Sequence, residues 1–397
     1  MCFVWLSNKT EIEMNKPLLA LIAGLITSTA IGQSQIVFTT SDTRENENPG
    51  TQDFIGLLDV ASPGAFQTLF TNADADSRLR RIVQNGGGDS FFVGDSPSPT
   101  QPDLGSIFQF DGLLGGSPSQ STIVGGGGLL LDPGGIAVNT ASDYIVFNNN
   151  PSGTGSSVNP EDGIFVANRD GSGLTQILAE SASAPFPRFQ AGTELRQSRS
   201  DANTFFAVGL NGGADGPSDS FRPSAITTVT VDPGDFSNSS VVNTIGLDSA
   251  TTGLDEDLRF VLGFTQDNDG NMYFSDSKNL AIYRATLNSD GDGFDSFEEI
   301  LDTAAAATAA GLRATGAADL EFDPFRNKLV FTGQVFLADL LPGESQGIGR
   351  IMEINLDGSG YNVLLDDVYV EDLVIIPAPS SAALLGLASL IGTRRRR

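Results

Sequence analysis

Residues 259–301 read RFVLGFTQDNDGNMYFSDSKNLAIYRATLNSDGDGFDSFEEIL. Short runs of apolar, aromatic and β-branched residues alternate with polar breaks. The break at 267–271, DNDGN, supplies Asn, Asp and Gly, which tolerate the positive φ of a hairpin bend. The stretch therefore reads as four short strands joined by tight turns, the unit from which the rest of the chain is built.

The unit recurs. A strand signal ending in Phe stands at IVFTT (Phe38), SFFVGD (Phe92), YIVFNN (Phe147), TFFAVG (Phe206), NMYFSD (Phe274) and KLVFTG (Phe331). The gaps between these phenylalanines are 54, 55, 59, 68 and 57 residues. Each is followed by two further strand signals, such as DGIFVANRDGSGLTQIL and GRIMEINLDGSGYNVLL. In several copies an inner strand comes first: GGIAVNT (134–140), RFVLGFTQ (259–266) and ADLEFDP (318–324).

A four-stranded sheet of this size cannot bury both faces alone. Setting such sheets around an axis buries them, and closing the ring removes free edges. The expected fold is all-β: a six-bladed β-propeller of four-stranded antiparallel blades over residues 33–376. The first unit begins at 36–40 with its second strand. A spare segment, VYVEDLVII (368–376), is left at the other end, and it is expected to supply the missing inner strand. The 26 phenylalanines are then packing between blades. One segment departs from the pattern: LDTAAAATAAGLRATGAAD (301–319) predicts a helix near 302–312, ended by Gly311 or Gly316.

Composition narrows the chemistry. Lys+Arg number 22 against 49 Asp+Glu, for a formal charge of -27. Such a polyanion repels nucleic acid and anionic membranes. The chain holds no histidine, and its one cysteine is Cys2. Imidazole bases, His metal sites, disulfides and thiolate nucleophiles are excluded from the body. No GxSxG elbow sits between strand and helix. The glycine runs at 86–88 and 125–128 lack the Lys-Ser/Thr of a phosphate loop.

The ends read as addresses. From Met14, the expected true start, Lys16 precedes an apolar stretch from Leu18 to Ile26. Ala30 and Gly32 then precede Gln33 in the spacing of a secretory cleavage site, so 1–32 is expected to be removed. At the far end, Val374 to Ile391 is apolar or small and four arginines follow. The helical part beyond Pro379 spans about 16 Å at 1.5 Å per residue, short of a bilayer core of about 30 Å.

Two resemblances attach to these residues. Pro377, Ala378 and Pro379, the apolar run and Arg394, Arg395, Arg396 and Arg397 resemble the PEP-CTERM sorting signal, with Ala378 where that family has Glu. This implies export and processing by an exosortase-type membrane peptidase, with delivery to the cell surface or an exopolysaccharide matrix. NMYFSDS (271–277), AIYRATL (281–287) and RIMEINLDGSG (350–360) resemble NHL and YWTD propeller repeats in style. No copy has the full Tyr-Trp-Thr-Asp motif, so that resemblance implies architecture only.

Two candidate sites follow. In NSDGDGFDSFEE, Asn288, Asp290 and Asp292 stand at positions 1, 3 and 5 of a calcium loop, Gly293 at 6 and Glu299 at 12. Asn at position 1 and Asp295 at position 8 depart from that pattern, and a solvated turn is the plainer reading. QDNDGN (266–271) is a weaker copy. Asp132, Glu321, Asp323, Glu371 and Asp372 lie in or beside expected inner strands and could face a central channel. Arg188, Arg259 and Arg313 fall on no common face. The chain is expected to be a scaffold or binding module for polysaccharide or protein. The alternative is a calcium-dependent propeller hydrolase, lactonase-like or phytase-like, which needs three or more converging channel carboxylates.

Overall fold

A computed structural model describes residues 34–40, 53–72, 77–97, 105–125, 133–149, 163–179, 194–209, 223–334 and 349–378. Ser34–Ile376 forms one unit. It holds six four-stranded sheets, each with antiparallel neighbours. The fold is the expected six-bladed propeller.

Blade 1 contains β1 (Ser34–Thr39), β2 (Phe54–Asp59) and β3 (Phe66–Thr71). Blade 2 runs from β4 (Ser77–Gln84) through β5 (Ser90–Pro97) and β6 (Ser106–Asp111) to β7 (Ser119–Val124). Blade 3 comprises β8 (Pro133–Asn139), β9 (Tyr144–Asn149), β10 (Gly163–Asn168) and β11 (Thr175–Ala179). Blade 4 is built from β12 (Glu194–Gln197), β13 (Thr204–Gly209), β14 (Ala225–Thr230) and β15 (Ser240–Gly246). The opening stretch folds as blade 5: β16 (Val261–Gln266), β17 (Met272–Asp276), β18 (Ala281–Leu287) and β19 (Phe294–Asp302). Blade 6 has β20 (Gly316–Asp323), β21 (Lys328–Gln334), β22 (Gly349–Asn355) and β23 (Asn362–Asp366).

The last strand, β24 (Asp372–Pro377), pairs with β1 and is the inner strand of blade 1. The Glu371 N–H donates to Thr39 O at 2.9 Å, extending that pairing by one residue. Ser34 at the start of β1 reaches the other way, donating to Asp323 of blade 6 at 2.6 Å. Both ends of the ring are thus tied to non-neighbours in sequence, as the orphan strand signals at 36–40 and 368–376 required.

Period-2 patterning places apolar side chains on both faces of each blade. Each contact between adjacent blades holds its own cluster. Phe206 and Val208 of blade 4 meet Phe264 and Phe274 of blade 5. Phe92 and Ile107 of blade 2 meet Phe147 and Phe165 of blade 3. The closing contact sets Val330 and Ile351 of blade 6 against Ile36, Phe38 and Leu373 of blade 1. Phenylalanine abundance is explained by this packing, since rings such as Phe206–Phe264 pack edge-on at 5.9 Å.

The 302–312 segment forms a helix at Thr303–Ala309, with Asp302 capping it by accepting from the Ala305 N–H. Gly311 at φ 73° follows the helix, and Gly316 opens β20. The helix joins blades 5 and 6.

The repeated DGSG turns dock one blade on the previous one. Gly171 and Gly358 take φ 83° and 81°. A Cβ on either would collide with a carbonyl of the preceding blade's outer strand: Ile123 for Gly171, Ile300 for Gly358. Gly358→Ala is expected to cost on the order of 2 kcal/mol, from positive φ plus the clash with main chain. Urea unfolding of the variant checks this, and an unchanged midpoint would contradict the docking.

Candidate functional site

The inner strands share a feature that the sequence does not advertise. Four of them carry a register shift in their first half: between Leu79 and Arg81, Pro133 and Ile136, Val261 and Gly263, and Ala317 and Leu320. A bulge of this kind re-aims a side chain and frees main-chain groups. The second strand satisfies two of those groups: Ser275 Oγ accepts from the Gly263 N–H at 2.9 Å, and Thr332 Oγ1 from the Asp319 N–H at 2.9 Å.

Four residues before the last pairing at each inner turn, the strands present Arg81, Gly135, Glu194, Gly263 and Asp319. Asp372 enters from β24. Glycine at 263 lets blade 5 approach blade 6 closely, since a Cβ there would collide with the Ala318 carbonyl and the Leu320 N–H of β20. Arg81 crosses to Glu194 at 2.9 Å and lies 3.7 Å from Asp372. Arg196 holds Glu194 at 2.5 Å, Glu321 at 2.9 Å and Asp319 at 3.4 Å. Main-chain donors complete the hub: Ile82 N–H to Asp372 at 2.7 Å, and Leu373 N–H to Asp319 at 3.0 Å. The hub therefore links blades 1, 2, 4 and 6.

Oxygens of Glu194, Asp319 and Asp372 lie within 4.8 Å of one another, the one carboxylate triad among the described residues with metal-ligand spacing. Its chemistry fits an open metal centre poorly. Both Glu194 oxygens already face guanidiniums, and Asp319 and Asp372 each accept from main-chain N–H groups. The positive charge that a cation would bring is supplied by Arg81 and Arg196.

Burial governs the protonation of this hub. It pushes Glu194 upward, against the pull of Arg196 and Arg81. Asp372 is raised by burial first and by the neighbouring Asp319 second. Glu321 is pushed up to about 7, again chiefly by burial. A carboxyl whose folded value exceeds the unfolded value of about 4.3 favours folding while protonated. That contribution is complete below the unfolded value and is lost as pH rises through 7. The thermal midpoint is therefore expected to fall between about pH 4.5 and 7.5 and to level off above that, and Glu321→Gln to flatten the slope. A wild-type midpoint that is level over this window would contradict the assignment.

At one end of the hub a polar pocket of about 680 Å³ opens, lined by Arg196, Ser198, Arg199, Gln266, Asn268 and Glu321 among others. It sits where the inner turns of blades 4 and 5 meet β20. Arg199 donates from Nε to Gln266 O at 2.6 Å and from Nη1 to Asn268 Oδ1 at 3.3 Å. Its guanidinium lies 5.1 Å over the Phe322 ring.

The expected inner-strand acids divide. Glu321 and Asp372 join the hub. Asp323 instead holds the closing turn, accepting from Ser34 and from Arg326 Nε at 2.6 Å. Glu371 lies just before β24, and Asp132 falls outside the described residues. Arg81, Glu194, Arg196 and Asp319 were not among the expected residues. Arg259 pairs locally with Asp257, Arg313 O accepts from Arg350, and Arg188 lies outside the described residues.

The candidate calcium loop is a hairpin tip. Asn288 Oδ1 accepts from the Asp292 N–H at 3.1 Å, its amide donates to Asp292 Oδ1 at 2.9 Å, and Gly291 takes φ 70°. Glu299 stands opposite Tyr283 well down the strand. Five residues beyond Phe294, it is about 16 Å from the tip along the strand, so the structure does not gather the four ligands. In the 266–271 turn, Asp267 Oδ1 is taken by the N–H groups of Asp269 and Asn271. Pro377 ends β24 and Ala378 follows it, while Pro379 and Arg394 to Arg397 lie outside the described residues. Among the described residues no helix is long and apolar enough to cross a membrane.

No protein-family profile matches the sequence, and no curated protein matches it. Solved structures do. The chain is similar to the periplasmic gluconolactonase of Pseudomonas aeruginosa, at 14% identity and TM-score 0.51, over 88% of this chain and 100% of that one. It is similar to a protein from Bacteroides fragilis assigned as a 6-phosphogluconolactonase, at 12% identity and TM-score 0.50, over 88% and 99%. A protein from Agrobacterium tumefaciens assigned as TolB matches at 14% identity and TM-score 0.48, over 88% and 99%. At such identities the likeness establishes the propeller fold alone.

Proposed function

We propose that this chain is an exported propeller that works as a binding module for a hydroxyl-rich polymer at the cell surface or in an extracellular matrix. One observation carries the reading. The channel carboxylates are committed to Arg81, Arg196 and main-chain donors, while the adjoining open concavity is lined by Ser, Gln, Asn and Arg side chains suited to hydroxyl groups. Export and sorting rest on the N-terminal segment from Met14 and on the Pro377-to-Arg397 tail, with an exosortase-type peptidase as the processing partner. The test is retention of the purified protein on exopolysaccharide from its host, with Gln266→Ala/Asn268→Ala as the weakened variant. Retention unaffected by that variant, or none at all, would overturn the reading.

The convergence of Glu194, Asp319 and Asp372 favours a second reading, a calcium-dependent propeller hydrolase. Calcium there, or at the 288–299 hairpin, would raise the thermal midpoint by several degrees in millimolar calcium relative to chelator. The binding-module reading expects the two melts to coincide.

A further inference from the structure

The pocket at the channel mouth contains a guanidinium that meets no carboxylate within salt-bridge distance among the described residues. Arg81 and Arg196 each meet carboxylates within salt-bridge distance. Arg199 meets none among the described residues; the partners of its Nε and Nη1 are the neutral Gln266 carbonyl and Asn268 amide oxygens. Its Nη2 has no acceptor among the described residues, and one hydrogen of Nη1 is also left over. The side chain is not loose, for those two hydrogen bonds fix its fork and the Phe322 ring lies beneath its plane. A rigid, half-spent guanidinium facing a polar cavity is built to receive a planar anion through two parallel bonds.

The surroundings select the anion. Glu321 lines the same cavity, and Asp267 adds a negative field near Arg199. A dianion such as phosphate would be repelled by both. A single carboxylate needs only one guanidinium and presents the matching planar fork. Around it, Ser198, Ser200, Gln266 and Asn268 line the cavity with hydroxyl and amide groups that can donate to or accept from sugar hydroxyls, and Glu321 lines it too. The chain's overall charge of -27 disfavours a densely charged polymer at long range. A sparsely charged one suits it better.

We infer that the channel-mouth pocket recognises a sugar carboxylate, a uronic acid unit within an otherwise neutral glycan, with Arg199 holding the carboxylate end-on. This deepens the binding-module reading and rests on it. Cellobiouronate and cellobiose, which differ by one carboxylate, serve as probes against the full mature protein in calorimetric or NMR titrations. Cellobiouronate is expected to bind at least tenfold more tightly than cellobiose. Arg199→Gln is expected to erase that difference, Arg199→Lys to restore it only in part, and neither to change the thermal midpoint by more than a few degrees. Equal affinity for the two probes would overturn the inference while leaving a glycan-binding module in place. Preference for cellobiouronate that survives Arg199→Gln would also overturn it, by placing the carboxylate elsewhere. Binding of neither probe, with host exopolysaccharide still retained, would overturn it too; loss of both kinds of binding would overturn the inference and the reading beneath it.

Discussion

A chain ending at Asp367 is expected to fail to fold, while one ending at Ala378 keeps a cooperative melt. The difference between them contains β24. Without it, blade 1 loses its inner strand, and Thr39 loses the Glu371 N–H. Leu373 and Ile376, 0% and 2% exposed, leave the clusters that join blade 1 to blades 6 and 2. Each fully buried side chain of that size contributes about 1.5–3 kcal/mol. Removal of Asp372 also takes one carboxylate from Arg81 and its acceptor from Ile82 N–H. Together these losses rival the total stability of an ordinary domain, about 5–15 kcal/mol. Circular dichroism and size-exclusion chromatography of the two truncations check the prediction. A folded chain ending at Asp367 would mean that ring closure is dispensable.

Arg81→Ala is expected to be the most damaging point substitution in the channel. It leaves Glu194 with one guanidinium and Asp372 with none, at positions where the carboxylate side chains are 1% and 2% exposed. Breaking a buried pair by removing one partner costs about 3–5 kcal/mol, because the remaining charge is uncompensated. For a domain of this size that is a drop of about 4–7 °C. The double variant Arg81→Met/Glu194→Gln removes one charge of each sign and is expected to recover part of the loss. Differential scanning calorimetry of the two variants and the parent measures it. A single variant that melts with the parent would show the hub to be energetically idle.

Much of the architecture was legible because each blade advertises itself locally. The Phe-bearing second strands and the Asn/Asp/Gly turns recur at near-constant spacing, and the unpaired strand signals at 36–40 and 368–376 could satisfy each other only across the ring. The hub was less legible, for a physical reason. SRLRRIVQ and ELRQ carry too much charge to read as inner strands, yet they are β4 and β12, and they bring Arg81, Glu194 and Arg196. A strand beside a polar channel need not look apolar when its charges find partners across the axis, and such partners are remote in sequence: Arg81 and Glu194 stand 113 residues apart. Glu321 and Asp372 were picked out because their strands are otherwise apolar. The 288–299 spacing runs in the opposite sense, plain in the sequence and spread out in the structure. A calcium loop needs the chain to curl so that position 12 returns to position 1, whereas here the chain leaves the tip as an extended strand and carries Glu299 away.

The most direct test of the account is a high-resolution crystal structure grown in millimolar calcium. The account predicts Arg81 and Arg196 seated on Glu194, with no cation among Glu194, Asp319 and Asp372. A cation about 2.3–2.6 Å from oxygens of those three residues, with Arg81 turned away from Glu194, would contradict it and make the channel a metal centre.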